Sequence, residues 1–373
     1  MKSKSAGNVG MSRRQVLKAG LTTAAALAIG GPVEASPQNQ TPHPPGLRVI
    51  DIHAHYFPQA YLDLVASDGK RFDAAYYSTD QGWFIKTPAG ANGPLPSKFI
   101  DLKARIGDMD QQGVGVQALS LTAPMLYWGD ADLSTNLAKA WNDAATEAHR
   151  TYPTRLVGFL TLPMLHPDRA LAELERASKL PGMRGVYLGT NVGGHDLDNP
   201  LFEPVLARIE ALDLPIFLHP VDPGGDRLRP FYLTNLLGNP FDTAIAACHL
   251  IFGGVLDRHP KLQICLPHGG GVLPILAGRI DQGWKVRSEL KHLPQAPSAY
   301  LQRFTYDTVT HSKPIMEFVI KQVGPERVMV GSDYCFAMGY ERPVQFLEQV
   351  DLTSAQRQMI LGGNAERVLK LVG

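Results

Sequence analysis

The sequence predicts a (β/α)8 TIM barrel of the α/β class, with a small insertion after its first strand. Three observations point to it. Eight apolar, β-type runs alternate with helical stretches from residue 48 to the C-terminus. Strands that alternate with helices pair in parallel through right-handed crossovers, and eight such units make a closed barrel. No Gly-rich phosphate loop follows the first run, which counts against the alternative, a doubly wound open sheet. Four histidines and an aspartate stand where runs end, on the barrel face where catalytic groups gather.

The chain has 373 residues and is 44% hydrophobic, enough for a large core. The first 35 residues do not belong to the barrel. Ser12-Arg13-Arg14-Gln15-Val16-Leu17-Lys18 precedes an apolar stretch from Ala19 to Gly31, and Val33-Glu34-Ala35 offers a small-residue cleavage site. This pattern reads as a twin-arginine-type signal peptide, which implies export to the periplasm as a folded protein. The apolar stretch is too short to span a bilayer. Residues 36–46, rich in Ser, Pro, Gln, Asn and Thr, read as a flexible leader, and residues 47–373 as the barrel.

The first strand is expected over 48–53, where Val49, Ile50 and Ile52 lead into His53-Ala54-His55. Residues 66–100 interrupt the rhythm between this strand and its helix. They are rich in Gly, Pro and aromatics, and Gly82-Trp83-Phe84-Ile85-Lys86 suits part of a short hairpin, so an insertion over the barrel mouth is expected. The helical pattern Leu102–Gln112 completes the first unit. Strands follow at 114–121, 156–162, 183–189, 214–219, 262–267, 303–309 and 327–332. Helices are expected between them over Thr135–Thr151, Arg169–Lys179, Leu201–Ala211, Phe241–Arg258, Pro274–Leu290 and Lys313–Val323, with two more over 342–350 and 353–371.

Charge and cysteines exclude several functions. A formal net charge of +1 gives no basic surface for nucleic acid and no acidic tail. Cys248, Cys265 and Cys335 form no paired pattern, so no disulfide framework is expected.

His53 and His55, spaced i, i+2, project to the same side of a strand. His219 ends the fifth run, His268 follows the sixth in Pro267-His268-Gly269-Gly270-Gly271, and Asp333 follows the eighth in Gly331-Ser332-Asp333. In a closed barrel these remote residues become neighbours. Three imidazoles and a carboxylate suit one divalent ion, with Zn2+ favoured and Mn2+ the alternative. His53, His55, His219 and Asp333 are the expected ligands. His268 is then the proton-transfer group beside the metal, and the glycines after it allow tight turning and close approach of substrate. Strand four ends in Leu188-Gly189-Thr190, without a lysine to bridge two ions. Asp307 and His311 near the seventh strand end are candidate supports for the ligands, and His166 reads as a loop residue.

The HxH motif, the single His after strand five, His-Gly-Gly-Gly after strand six and Gly-Ser-Asp-Tyr after strand eight resemble the amidohydrolase superfamily. Met109-Asp110-Gln111-Gln112-Gly113-Val114, Phe252-Gly253-Gly254-Val255 and Gly278-Arg279-Ile280 extend the resemblance to its decarboxylase branch, typified by aminocarboxymuconate-semialdehyde decarboxylase. The resemblance implies a non-oxidative, metal-dependent decarboxylase of an aromatic or unsaturated carboxylic acid, with metal-bound water or substrate and His268 as proton shuttle. It implies that Arg279 binds a substrate carboxylate, in the family across a subunit boundary, and hence a homodimer. Lys86 stands nearest to a second arginine of the family, and Phe231 and Tyr232 replace a tryptophan platform. The same metal site would also serve a lactone or amide hydrolase, in which Asp333 or His268 takes the proton, or a hydratase.

Overall fold

The computed structural model describes residues 48–221 and 224–371. The expected signal peptide and leader lie outside the described residues. Eight parallel strands form one sheet, each beside its successor in sequence: β1 Ile50–His55, β2 Val116–Ser120, β3 Leu156–Leu160, β4 Met183–Gly189, β5 Ile216–His219, β6 Ile264–Leu266, β7 Phe304–Asp307 and β8 Val328–Met329. Beyond β8 the chain turns back to the first strand. The Ile52 amide donates to the Val330 carbonyl at 2.9 Å and the His55 amide to the Tyr334 carbonyl at 2.6 Å, which closes the barrel. Strands buried on both faces need unbroken apolar runs rather than alternation, and β2 and β3 are buried at every residue.

All eight expected strands are present, most of them shortened at the ends. β1 differs more usefully. It starts at Ile50 and runs through His55, two residues past the expected end, so His55 is a strand residue as His53 is. The ladder to the segment behind β8 holds them there, with the Asp333 amide donating to the His53 carbonyl at 2.8 Å. Opposite β2, Asp51 pairs with Gln117 and Ala54 with Leu119, so β1 carries one extra residue between them. Such bulges re-aim side chains beside functional sites.

The helix Leu102–Gln112 has its expected bounds. The Asp101 carboxylate accepts from the Ala104 amide at 3.0 Å, and Gly113 stops the helix at φ 72°, a left-handed conformation that glycine adopts without strain. Lys313–Val323 also matches. The stretch expected as one helix over Phe241–Arg258 is two, Asn239–Phe252 and Val255–Arg258, because Gly253-Gly254 breaks it and Gly254 takes φ 70°. A π-turn, Thr234–Gly238, leads into the first.

The insertion is more ordered than its sequence suggests. A helix, Gln59–Ser67, precedes it, and three antiparallel strands follow at Ala75–Thr79, Gly82–Thr87 and Gly90–Leu95. The expected hairpin segment is the middle strand. Trp83 anchors this sheet: it is buried against Phe57 and Phe99, and its indole N–H reaches the Pro96 carbonyl at 3.0 Å. Phe99 packs on Phe336, behind β8, with ring centroids 4.8 Å apart. The three cysteines are free. Among the described residues, no helix is long and apolar enough to cross a membrane.

Candidate metal centre

His53, His55, His219 and Asp333 converge at the C-terminal end of the barrel, and their ligand atoms all lie within 4.8 Å of one another. All four residues are buried. The i, i+2 spacing on β1 does what strand geometry requires, bringing the two Nε2 atoms to 3.1 Å. Asp333 reaches them from behind β8, with Oδ1 3.0 Å from His55 Nε2 and 3.4 Å from His53 Nε2. Its backbone is left-handed, with φ 58°.

The hydrogen bonds on the far side of each ring decide which nitrogen faces the centre. His53 Nδ1 lies 2.6 Å from Asp307 Oδ2, an acceptor, so it carries the proton. His55 Nδ1 lies 3.1 Å from Ser120 Oγ, whose own proton goes to the Ala54 carbonyl at 3.2 Å, so this Nδ1 donates too. His219 Nδ1 donates to the Pro220 carbonyl at 2.9 Å. Three Nε2 lone pairs therefore face one point. His219 Nε2 is buried with no hydrogen-bond partner, and two lone pairs 3.1 Å apart repel each other. A cation between them relieves both costs, so the donor set fits one divalent ion.

Electrostatics agrees. Burial and the neighbouring imidazolium charges push the His55 pKa down to about 4 and His219 well below its ordinary value, leaving both neutral and ready to coordinate. Burial acts the same way on His53, but the carboxylates of Asp333 and Asp307 outweigh it and raise its pKa. Burial would raise the Asp333 carboxyl, yet His53, His268 and His55 hold it well below the usual carboxylate range.

His268 stands at the edge of the centre, its Nε2 3.9 Å from Asp333 Oδ2. Its Nδ1 is buried without a hydrogen-bond partner. A buried N–H with no acceptor is costly, so the proton of the neutral ring belongs on Nε2. The chain's own packing requires two of the glycines after it: a Cβ on Gly271 would lie 2.1 Å from the Pro240 carbonyl oxygen, and one on Gly270 2.6 Å from the Tyr306 ring.

A cleft of about 240 Å³ opens above His268 and Asp333. Asn235, Asn239 and Pro240 form one wall, and Val309, Thr310 and His311 the other. The remaining expected site residues stand elsewhere in the chain. Lys86 pairs with Asp73 at 2.8 Å on the insertion sheet and does not line this cleft. Arg279 is exposed on the helix Leu273–Val286. Phe231 and Tyr232 are 87% and 58% exposed; Tyr232 is near enough for the Asp333 charge to add to the burial that raises its pKa. Asp307 supports a ligand directly, whereas His311 lies at the cleft rim. His166 precedes the helix Pro167–Ala177.

Sequence reasoning missed the layer beneath the centre. The Asp51 carboxylate accepts from the His53 and Ser332 amides, both at 3.0 Å, and from Gln117 Nε2 at 2.9 Å. The fully buried Arg105 donates to Gln117 Oε1 at 2.9 Å and to the His55 carbonyl, and its guanidinium lies 4.6 Å from the Tyr334 ring centroid. Asp51 carried a signal, an acid two residues before His53 on the same strand face. Arg105 carried none, since an arginine in an amphipathic helix reads as a surface residue.

Comparison with known proteins adds a family. Residues 50–371 match the family described as amidohydrolase. A 2-amino-3-carboxymuconate-6-semialdehyde decarboxylase of Dictyostelium discoideum is 32% identical over 332 residues, covering 86% of this chain and 91% of that one. Among solved structures, 5-carboxyvanillate decarboxylase from Sphingomonas paucimobilis superposes with a TM-score of 0.76 at 28% identity, over 87% of this chain and 99% of the other. A dihydroxybenzoic acid decarboxylase from Polaromonas, solved with manganese and the inhibitor 2-nitroresorcinol, gives 0.72 at 26% identity, over 87% and 97%.

Proposed function

This chain belongs to the amidohydrolase family, in its decarboxylase branch, and from that premise we propose that it is a metal-dependent, non-oxidative decarboxylase of an aromatic or unsaturated carboxylic acid. The observation that carries the reading is His268, set at the floor of a cleft beside a complete metal-ligand cluster. His53, His55, His219 and Asp333 would hold the ion. Zinc suits three imidazoles and a carboxylate, and the Polaromonas relative carries manganese. The ion, when bound, supplies Lewis-acid charge that draws in an anionic oxygen or acidifies water.

The chain's own residues supply the remaining steps. The cleft walls hold the substrate and keep water from one of its faces. His268, protonated on both nitrogens when it acts as the acid, delivers its Nε2 proton to the carbon that bears the carboxylate and is left as a neutral imidazole. The bond from that carbon to the carboxylate then breaks, its electron pair returns to the ring or alkene, and CO2 leaves; substrate anion plus proton becomes decarboxylated product plus CO2. Asp333 Oδ2 lies 3.9 Å from His268 Nε2, so the proton donor stands beside the ligand carboxylate. Exposed Phe231, Tyr232, Leu236, Leu237, Phe241 and Ile245 form an apolar strip beside the cleft, which supports a homodimer with Arg279 on the adjoining helix. The insertion, packed on Phe336 beside His55, supports a cover over the mouth.

The test is CO2 release by the metal-loaded protein on hydroxybenzoates, methylsalicylates and carboxymuconate-type acids. The expected result is release that falls by roughly 10²- to 10⁴-fold in His268→Ala. No release on any acid, with one metal bound per chain, would transfer the function to lactone or amide hydrolysis.

A further inference from the structure

Each of the three metal-facing imidazoles gives its Nδ1 proton to an acceptor, and the acceptors differ in kind. His53 uses a carboxylate, that of Asp307. His55 uses the Ser120 hydroxyl. His219 uses the carbonyl of its own neighbour, Pro220, at 2.9 Å. A carbonyl in the loop beyond a strand orients a ring no better than that loop is itself fixed. Here the loop is fixed from the other end of the same peptide unit. The Pro220 carbonyl and the Val221 N–H belong to one planar trans group and point in opposite directions. The Val221 N–H donates to Asp242 Oδ2 at 3.2 Å. A carboxylate therefore stands behind His219 as well, with one peptide between them.

Asp242 lies in the first turn of the helix Asn239–Phe252 and is buried. An acid in that turn would favour the helix dipole from the surface just as well. Burying it costs free energy unless hydrogen bonds to the charged form offset the loss of water. Two of its hydrogen bonds lead to the metal centre. Besides the Val221 amide, Oδ2 accepts from the hydroxyl of Thr190, the residue after β4, at 2.5 Å. The Thr190 amide in turn donates to the His219 carbonyl at 2.9 Å. The segment from His219 to Val221 is thus tied to one carboxylate at both ends, directly at Val221 and through Thr190 at His219. Hydrogen bonds in such a chain polarise one another. A peptide that donates to a carboxylate carries more negative charge on its own carbonyl oxygen, and a stronger acceptor at Nδ1 makes Nε2 the better metal ligand.

We propose that Asp242 is a positioning residue of the metal centre: through the Pro220–Val221 peptide it orients His219 and strengthens its hold on the ion. This rests on the metal centre and not on the reaction carried out there. The test is the affinity of the full chain for Zn2+ and for Mn2+, by competition with a chelator, beside the melting temperature of the metal-free protein. Asp242→Ala should bind each ion roughly 10- to 100-fold more weakly, the usual effect of removing the outer support of a ligand. Asp242→Asn keeps an oxygen for both hydrogen bonds but loses the charge, so its affinity should fall between those of Asp242→Ala and the unsubstituted chain. Thr190→Val removes the other hydrogen bond to Asp242 and leaves that of Val221. It should lower the melting temperature while holding the ion much more nearly as the unsubstituted chain does. A lower melting temperature with unchanged affinity in both Asp242 variants would make the residue merely structural and overturn the proposal. So would a Thr190→Val variant that loses as much affinity as Asp242→Ala. Should Asp242→Ala fail to fold, Asp242→Asn decides alone, and unchanged affinity there overturns the proposal. No ion bound by the unsubstituted chain would overturn the centre and this role together. Failure to release CO2 would sink the decarboxylase reading and leave the role of Asp242 standing.

Discussion

His53 divides its two nitrogens between the protein and the ion. Nδ1 is committed to Asp307 at 2.6 Å, which leaves Nε2 to coordinate. The same carboxylates that orient the ring raise its pKa, with a consequence for stability. A raised folded-state pKa stabilises the metal-free protein fully below the ordinary value of 6.5, and this contribution is lost as pH rises through the folded-state value. Asp333, held low, contributes above its ordinary 3.8 and loses that contribution as pH falls. His55 and His219, held neutral by lowered pKa values, cost the folded state stability as pH falls below 6.5, so the metal-free centre is most stable near that value, where His53 is charged and Asp333 ionised. A metal ion requires His53 neutral and competes with that proton. The difference in Tm between metal-loaded and metal-free protein should widen from about pH 6 to about pH 8. Thermal melts at both pH values, with and without Zn2+ or Mn2+, check this; a difference that narrows as pH rises would mean the ion binds elsewhere.

At the scale of elements, the centre depends on how β1 is fastened. The strand carries two ligands, contains a bulge, and bonds on one side to β2 and on the other to the irregular chain behind β8. Arg105, from the helix Leu102–Gln112, pins the His55 carbonyl and reaches Asp51 through Gln117, while Asp51 accepts from Ser332 beside Asp333. One buried chain of polar groups therefore joins β1 to the segment behind β8, two of the three places that supply ligands. Arg105→Met fills much of the volume but leaves the His55 carbonyl and Gln117 Oε1 without their donor and Asp51 without a nearby cation. Breaking a buried charged network from one side costs about 3–5 kcal/mol. Urea unfolding of the metal-free variant should show a loss of that order. A loss below about 1 kcal/mol, the scale of a surface ion pair, would mean that the network does not brace β1.

Taken whole, the molecule combines a closed barrel with an N-terminal sequence that reads as an address. Export by the paired Arg13-Arg14 and dimer formation through the apolar strip are tested together. In a Gram-negative host, the full chain should be recovered from the periplasm shortened by about 35 residues, as the signal pattern implies, and should sediment at twice the chain mass. Replacing both arginines with lysine should keep it in the cytoplasm. Recovery of the processed chain from that double variant would refute twin-arginine export, and a monomer at micromolar concentration would refute the dimer.

The sequence by itself determined the barrel, because a strand buried on both faces must be apolar throughout, and eight such runs spaced by helices leave few ways to close. It also determined the ligand set, because His53, His55, His219 and Asp333 stand at or beside strand ends, and parallel strands bring those ends to one rim. Tertiary structure alone decided what lies one layer out. Arg105 is buried because of what its helix packs against, not because of its own pattern. The insertion is a three-stranded sheet because Trp83 finds Phe57 and Phe99, the latter in contact with Phe336 from the far end of the chain. The cleft, and the position of His311 at its rim, arise where the chain beyond β5, β6, β7 and β8 meets. Burial, tautomer and charge at such a point are set by neighbours distant in sequence, and no local periodicity records them.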